Sequence, residues 1–352
     1  MLDQFKFLPG SKSQPADRRN EYDVTNTVNV SSSPAVRDAV QQLLAATFPQ
    51  ASLDVLWLAF HDFDLLYEGR LPGYRGCDTV YHDKQHSLDM TLTMARLLAG
   101  HERTADKADQ LGAERAIVGV ITALFHDAGY IRRDDEPRRH NGAEFTIWHV
   151  SRSADFLRLV MPKLGYRHWS ETAAKLVHFT GYEINIDDIE LADPTDALIG
   201  HFLGTADLMA QMADRCYLEK CRDRLYSEFV LGGVAIPPHA KGPENILYQS
   251  GIDLLKKTPG FYQHMAMSRL DDKFNHAYRY IEALYDGRNP YMEFIGKNQQ
   301  YLNTVIEQNA WHKLRRNPPC YTAIEQPLKS VSALVSRMLA DHNAPASALT
   351  IS

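Results

Sequence analysis

Ten residues, Ala116-Ile117-Val118-Gly119-Val120-Ile121-Thr122-Ala123-Leu124-Phe125, carry one hydroxyl and no charge, and they run straight into His126-Asp127. A run this apolar is driven into the interior and takes the imidazole and the carboxylate with it. Removing such groups from water is costly unless something pairs with them, and the run supplies almost no polar partner. A bound metal ion is the simplest partner for a His-Asp pair at the end of such a segment. Upstream, Tyr81-His82-Asp83-Lys84-Gln85-His86 places two more histidines four residues apart, a spacing that puts both on one face if one helix holds them.

Helical periodicity dominates the rest of the chain. Val36, Val40, Leu43, Leu44 and Phe48 recur at helical steps after Ser31-Ser32-Ser33-Pro34, which reads as a helix cap. A second apolar stretch runs from Leu53 to Tyr67, and further segments are predicted around 85–100, 114–127, 143–161, 170–179 and 196–222. Periodicity returns over 245–315, and no run of alternating β-branched residues marks a strand. The expected fold class is all-α. We expect a disordered or extended segment over 1–33, a catalytic domain over 34–235, a helical extension packed on it over 236–340, and a flexible tail over 341–352.

With 352 residues and 44% hydrophobic content the chain can build a large core. A net charge of -6 argues against affinity for nucleic acid phosphates. The polar N-terminus lacks the apolar core of a signal peptide, and no run has the length of a membrane span. Cysteines 77, 216, 221 and 320 form no CxxC and no regular framework. A cytoplasmic protein with no nucleic acid or membrane partner is expected, and a homodimer is compatible with the composition.

A catalytic metal needs converging ligands that leave positions open. Asp207, inside the apolar segment His201-Phe202-Leu203-Gly204-Thr205-Ala206-Asp207-Leu208-Met209, is a further candidate, because an unpaired carboxylate there is destabilising. His140, among Arg138, Arg139 and Asp134, has a solvated-loop reading from its neighbours alone. Lys84 and Arg132 are candidate phosphate contacts, although such charge runs are more often solvated, and Tyr130 is a candidate pocket residue. His61-Asp62 precedes the other motifs and reads as structural.

These motifs, in this order, resemble the HD superfamily of metal-dependent phosphohydrolases, and more closely the catalytic domain of class I cyclic nucleotide phosphodiesterases. Tyr81-His82-Asp83-Lys84-Gln85-His86-Ser87-Leu88-Asp89 resembles their YHNxxHAxD segment, Phe125-His126-Asp127 their His-Asp segment, and Thr205-Ala206-Asp207-Leu208 their CADLSN segment. The resemblance covers roughly residues 75–230. It implies His86, His126, Asp127 and Asp207 as ligands of a first ion, Asp127 as a bridge to a second, and His82 as general acid. Tyr130 stands where the phosphodiesterases have a second histidine, a departure that resembles generic bacterial HD proteins and moves the second site to His140 and His178.

The implied activity is hydrolysis of a small-molecule phosphate ester, a phosphodiester or phosphomonoester of a nucleotide-like substrate, by a metal-activated hydroxide. The implied cofactors are two divalent ions drawn from zinc, iron, manganese, nickel, cobalt or magnesium. The alternatives are a di-iron oxygenase using the same ligand order and a non-catalytic, nucleotide-binding regulatory domain.

Overall fold

Helix α1 (Ser33–Thr47) starts where Ser32 accepts a hydrogen bond from the amide of Ala35 and Pro34 pre-sets the first turn. It buries Val36, Val40, Leu43 and Leu44, the face expected from their spacing. The computed structural model describes residues 18–136, 139–237, 245–318 and 326–343. Helix α2 (Asp54–Tyr67) follows, and then α3 (Lys84–Thr104), which is covered on all sides along nearly its whole length. Around α3 stand α1, α4 (Gly112–Leu124), α7 (Ala197–Ala213) and the turn Ala277–Leu284. Helix α5 (His149–Lys163) packs on α6 (Ser170–Leu176) and on the short turn Ala128–Tyr130. No strand occurs among the described residues, which hold only two isolated β-bridges. The fold is all-α, and no described helix is long and apolar enough to cross a membrane.

The segment expected as one helix over 196–222 is broken. Helix α7 stops at Ala213, because Asp214 turns its carboxylate back to the amide of Cys216 and to Lys220. Helix α8 (Tyr217–Lys220) then passes through a π-helical turn, Cys221–Leu225, into α9 (Tyr226–Leu231). Likewise the start expected near 143 is a separate turn, Gly142–Phe145, with a reciprocal cap between Asn141 and Glu144, and α5 begins only at His149.

The described part of the N-terminal segment is folded. Asp23 accepts from the amides of Thr25, Thr27 and Val28, and it pairs with Arg96 of α3 at 2.8 Å. Residues 1–17 and 344–352, and with them most of the expected tail, lie outside the described residues.

The C-terminal helices α10 (Gly251–Phe261) and α11 (Pro290–Glu307) share the core of the preceding helices. Tyr291 of α11 accepts hydrogen bonds from Arg96 and Thr93 of α3. A Cβ on Gly100 would lie 1.9 Å from the carbonyl oxygen of Tyr280, so only glycine permits that approach. Helix α12 (Gln326–Asn343) sets Val331 and Val335 against Val230 and Leu231 of α9. Among the described residues beyond 236, the turn Ala277–Leu284 and Tyr291 of α11 thus complete the interior around α3.

Candidate metal centre

Asp83 caps α3, its carboxylate accepting from the amide of His86 at 3.0 Å, and this fixes His86 in the first turn. Helix α4 ends at Leu124, so His126 and Asp127 stand in the turn that leads to Ala128–Tyr130. Asp207 projects from the middle of α7, opposite α3. These three places converge. His86 Nε2 lies 3.3 Å from His126 Nε2, 3.2 Å from Asp207 Oδ1 and 3.5 Å from Asp127 Oδ2. His126 Nε2 lies 3.2 Å from Asp127 Oδ2 and 3.9 Å from Asp207 Oδ1.

The donors fit a divalent ion on four counts. Ligand atoms about 2.0–2.2 Å from a common metal sit roughly 2.8–3.6 Å apart in octahedral or tetrahedral arrangements, and all of these separations but the 3.9 Å between His126 and Asp207 fall in that range. Asp127 Oδ2 is buried and has no hydrogen-bond partner. His126 Nδ1 is 2.8 Å from the carbonyl oxygen of Ala123 and must donate to it, which leaves the Nε2 lone pair facing the cluster when the ring is neutral. With both rings neutral the cluster holds two buried negative charges, the charge a divalent cation cancels. Without one, the carboxylates of Asp127 and Asp207 outweigh burial and hold the His126 ring up at about 9, and His126 overcomes burial to hold Asp127 far below the usual carboxylate range.

The second oxygen of Asp127 looks elsewhere. Asp127 Oδ1 lies 3.7 Å from Nε2 of His149, the first residue of α5. His149 repeats the arrangement of His126: its Nδ1 donates to the carbonyl oxygen three residues back, that of Thr146, at 2.8 Å, and frees Nε2. Burial holds this ring below its usual range, as suits a neutral ligand. No periodicity or motif singled out His149, since its only signal is position after the packing of α5 against Ala128–Tyr130. Gly129 allows that packing: a Cβ there would meet the His149 carbonyl oxygen at 1.8 Å.

His140 and His178 are not brought into the cluster. His140 is exposed, and its amide serves the capping carboxylate of Glu144. His178 lies in the turn Val177–Phe179, half-buried, with an unpartnered Nδ1 and no described hydrogen bond, ion pair or ring contact to the four donors. Glu183 is its link to His149, acting electrostatically on both rings.

His82 precedes the helix instead of sharing a face of it with His86. Its Nδ1 is 2.5 Å from Oε2 of Glu228, a carboxylate buried completely in α9. The other oxygen of Glu228 accepts from the amides of Val80 and Tyr81, both at 2.6 Å, while Arg224, one turn earlier, donates to the carbonyl of Val80. The ring stacks on Tyr130 at 4.5 Å, and Tyr130 stacks in turn on His149 at 4.3 Å. Among the described residues the ion-pair contact of His82 is with Glu228 alone. Although burial disfavours the imidazolium, Glu228 raises it above the usual histidine range.

Three expected substrate contacts have other roles. Lys84 is buried and bridges Asp64 and Glu68 at 2.7 Å each. Arg132 pairs with Asp78 at 2.5 Å and donates to the carbonyl of Arg139. Tyr130 is the buried spacer between His82 and His149. All three side chains are held by contacts within the fold. His61 of the second His-Asp pair is exposed on α2.

In comparisons with known proteins, no family model and no curated protein matches the chain.

Proposed function

We propose that this chain is an HD-type, metal-dependent phosphohydrolase acting on a phosphodiester or phosphomonoester of a small, nucleotide-like molecule. The observation that carries the reading is the meeting of His86, His126, Asp127 and Asp207, from three separate segments, beside a histidine held by its own carboxylate. His86, His126, Asp127 and Asp207 would hold a first divalent ion. Asp127 Oδ1 and His149 would hold a second. Bound ions supply positive charge beside the phosphoryl oxygens and lower the pKa of water from about 15.7 towards about 7.

The chain's own residues supply proton control. Glu228 accepts a hydrogen bond from Nδ1–H of His82, orients the ring and stabilises its charged form, which leaves Nε2–H to give its proton to the departing alkoxide. Tyr130 stacks on one face of the ring and limits its rotation. Ions of zinc, iron, manganese, nickel, cobalt or magnesium suit mixed imidazole and carboxylate ligation. The free thiols Cys77, Cys216 and Cys221 are in keeping with a reducing, cytoplasmic setting.

The test is metal analysis of the purified protein followed by a phosphate-ester panel that includes cyclic mono- and dinucleotides. Metal-dependent turnover of a panel member is the expected result; stoichiometric metal without turnover of any ester refutes the hydrolase reading. A di-iron oxygenase is the second reading, favoured by His149, since it supplies the imidazole a second iron needs. Iron content with substrate-dependent oxygen consumption would select it.

A further inference from the structure

A narrow cleft opens from His86 along α3, lined by Tyr81, Gln85, Asp89, Asp214, Tyr217 and Lys220 among others. Most polar groups in it are engaged. Gln211 accepts from the hydroxyl of Tyr81 and donates to Asp207, and Asp214 holds Lys220 at 2.5 Å and the amide of Cys216. Two acceptors are left over. Gln85 donates through Nε2 to the carbonyl of Asn20, which directs its Oε1 away, and that oxygen has no partner. Asp89 Oδ1 has none either. These side chains are only 3% and 8% exposed, so bulk water does not explain how they are satisfied. They stand four residues apart on one face of α3, with His86 between them in sequence.

We infer that this cleft is a recognition pocket in which Gln85 Oε1 and Asp89 Oδ1 accept hydrogen bonds from an uncharged, donor-bearing part of the substrate, while the phosphate lies at the metal centre. The word substrate rests on the phosphohydrolase reading; the pocket itself does not. Two buried acceptors without a donor call for a ligand with two donors. Charge excludes the extremes. Lys220 lines the same cleft and Arg18 and Arg96 stand behind Asp89, which disfavours a cation, while Asp89 and Asp214 disfavour an anion. Two sources carry this donor chemistry: the amino edge of a nucleobase and the hydroxyls of a sugar or polyol.

Binding of three phosphate esters to the full-length protein separates the outcomes. Ethyl phosphate has no donor beyond its phosphate, 2′,3′-dideoxyadenosine 5′-monophosphate adds an amino edge without vicinal hydroxyls, and ribitol 5-phosphate adds hydroxyls. We expect one of the latter two to bind at least about tenfold tighter than ethyl phosphate. Gln85→Met and Asp89→Ala should each reduce that advantage to about twofold or less, and Gln85→Glu, which keeps the acceptors, should retain it. If Asp89→Ala does not fold, Gln85→Met and Gln85→Glu still decide. No advantage for either donor-bearing ester, or an advantage that survives Gln85→Met, overturns the inference. A Gln85-dependent advantage in a protein that hydrolyses no ester would leave the pocket standing and remove the hydrolase reading. Turnover without any donor advantage would do the reverse.

Discussion

Replacing Gly129 with alanine tests whether the start of α5 positions the second half of the centre. The added Cβ would lie 1.8 Å from the carbonyl oxygen of His149, 2.7 Å from its carbonyl carbon and 2.9 Å from Cβ of Arg152. Real Cβ contacts stay above 3.0 Å, so the two backbones must separate by at least about 1.2 Å, the difference between 3.0 and 1.8 Å. Neither side yields easily: Gly129 donates to Ser153 and accepts from Arg152, and His149 accepts from Ser153. Forced overpacking of this kind costs about 1–3 kcal/mol. Each kcal/mol lowers Tm by roughly 2–4 °C in chains of 150–250 residues and by less in longer ones. The same displacement exceeds the tolerance of about 0.2 Å on a metal–ligand bond, so His149 should no longer serve an ion shared with Asp127. Thermal unfolding and metal content per chain give the readout. Gly129→Ala should lose several degrees and one of two ions, while His149→Ala should lose the same ion without the strain. A Gly129→Ala protein with wild-type Tm and both ions would refute the reasoning, and a wild type that never holds more than one ion would remove the second position.

Asp207→Ala should empty the first position and leave a helical protein by circular dichroism; full metal stoichiometry in that variant would show that Asp207 is not a ligand. Glu228→Gln should lower kcat by about 10²–10⁴-fold, because the amide would donate to His82 Nδ1 and impose the wrong tautomer. In the folded wild type Glu228 raises the His82 pKa, so the pair's stabilisation is fully present below the unfolded histidine value and lost as pH rises through the folded one. The stability difference between wild type and Glu228→Gln should accordingly shrink from acid towards alkaline pH, and a constant difference would speak against the pair. His82→Ala should retain metal and lose roughly two to four orders of magnitude in kcat on an unactivated ester. That loss should be much smaller on bis(4-nitrophenyl) phosphate, and equal losses on both would show that His82 is not the acid. Asp23 is held at about 2, the charge of Arg96 and its hydrogen bonds overcoming burial. Its contribution, on the order of 2 kcal/mol, is present above the usual aspartate value and lost as pH falls towards 2. Asp23→Asn should be less stable near neutrality and show a flatter decline in acid, and an unchanged acid profile would count against the pairing.

Local information made much of this protein legible. Helix α1 and the apolar run of α4 follow from periodicity, and the burial of His126 and Asp127 and the half-buried place of Asp207 follow from the apolar segments that carry them. These are properties of contiguous residues, so no knowledge of packing is needed to read them. Even there, short-range side-chain bonds were invisible: Asp214 ends α7 and the Asn141–Glu144 cap delays α5, both through contacts that periodicity does not encode. The partners of the site were decided by tertiary structure. Glu228 meets His82 across 146 positions of sequence because α9 packs beside the segment before α3, and Asp127 meets His149 because Gly129 lets α5 approach. Lys84 and Arg132 look like free cations in sequence, yet Asp64, Glu68 and Asp78 occupy them in the fold. The sequence by itself determined which donors had to be buried, since the hydrophobic effect acts on each segment alone. Which of them face one another, which oxygen of Asp127 serves which ring, and which acceptors remain unpartnered beside His86 depend on how helices distant in the chain pack, and only the tertiary structure decided them.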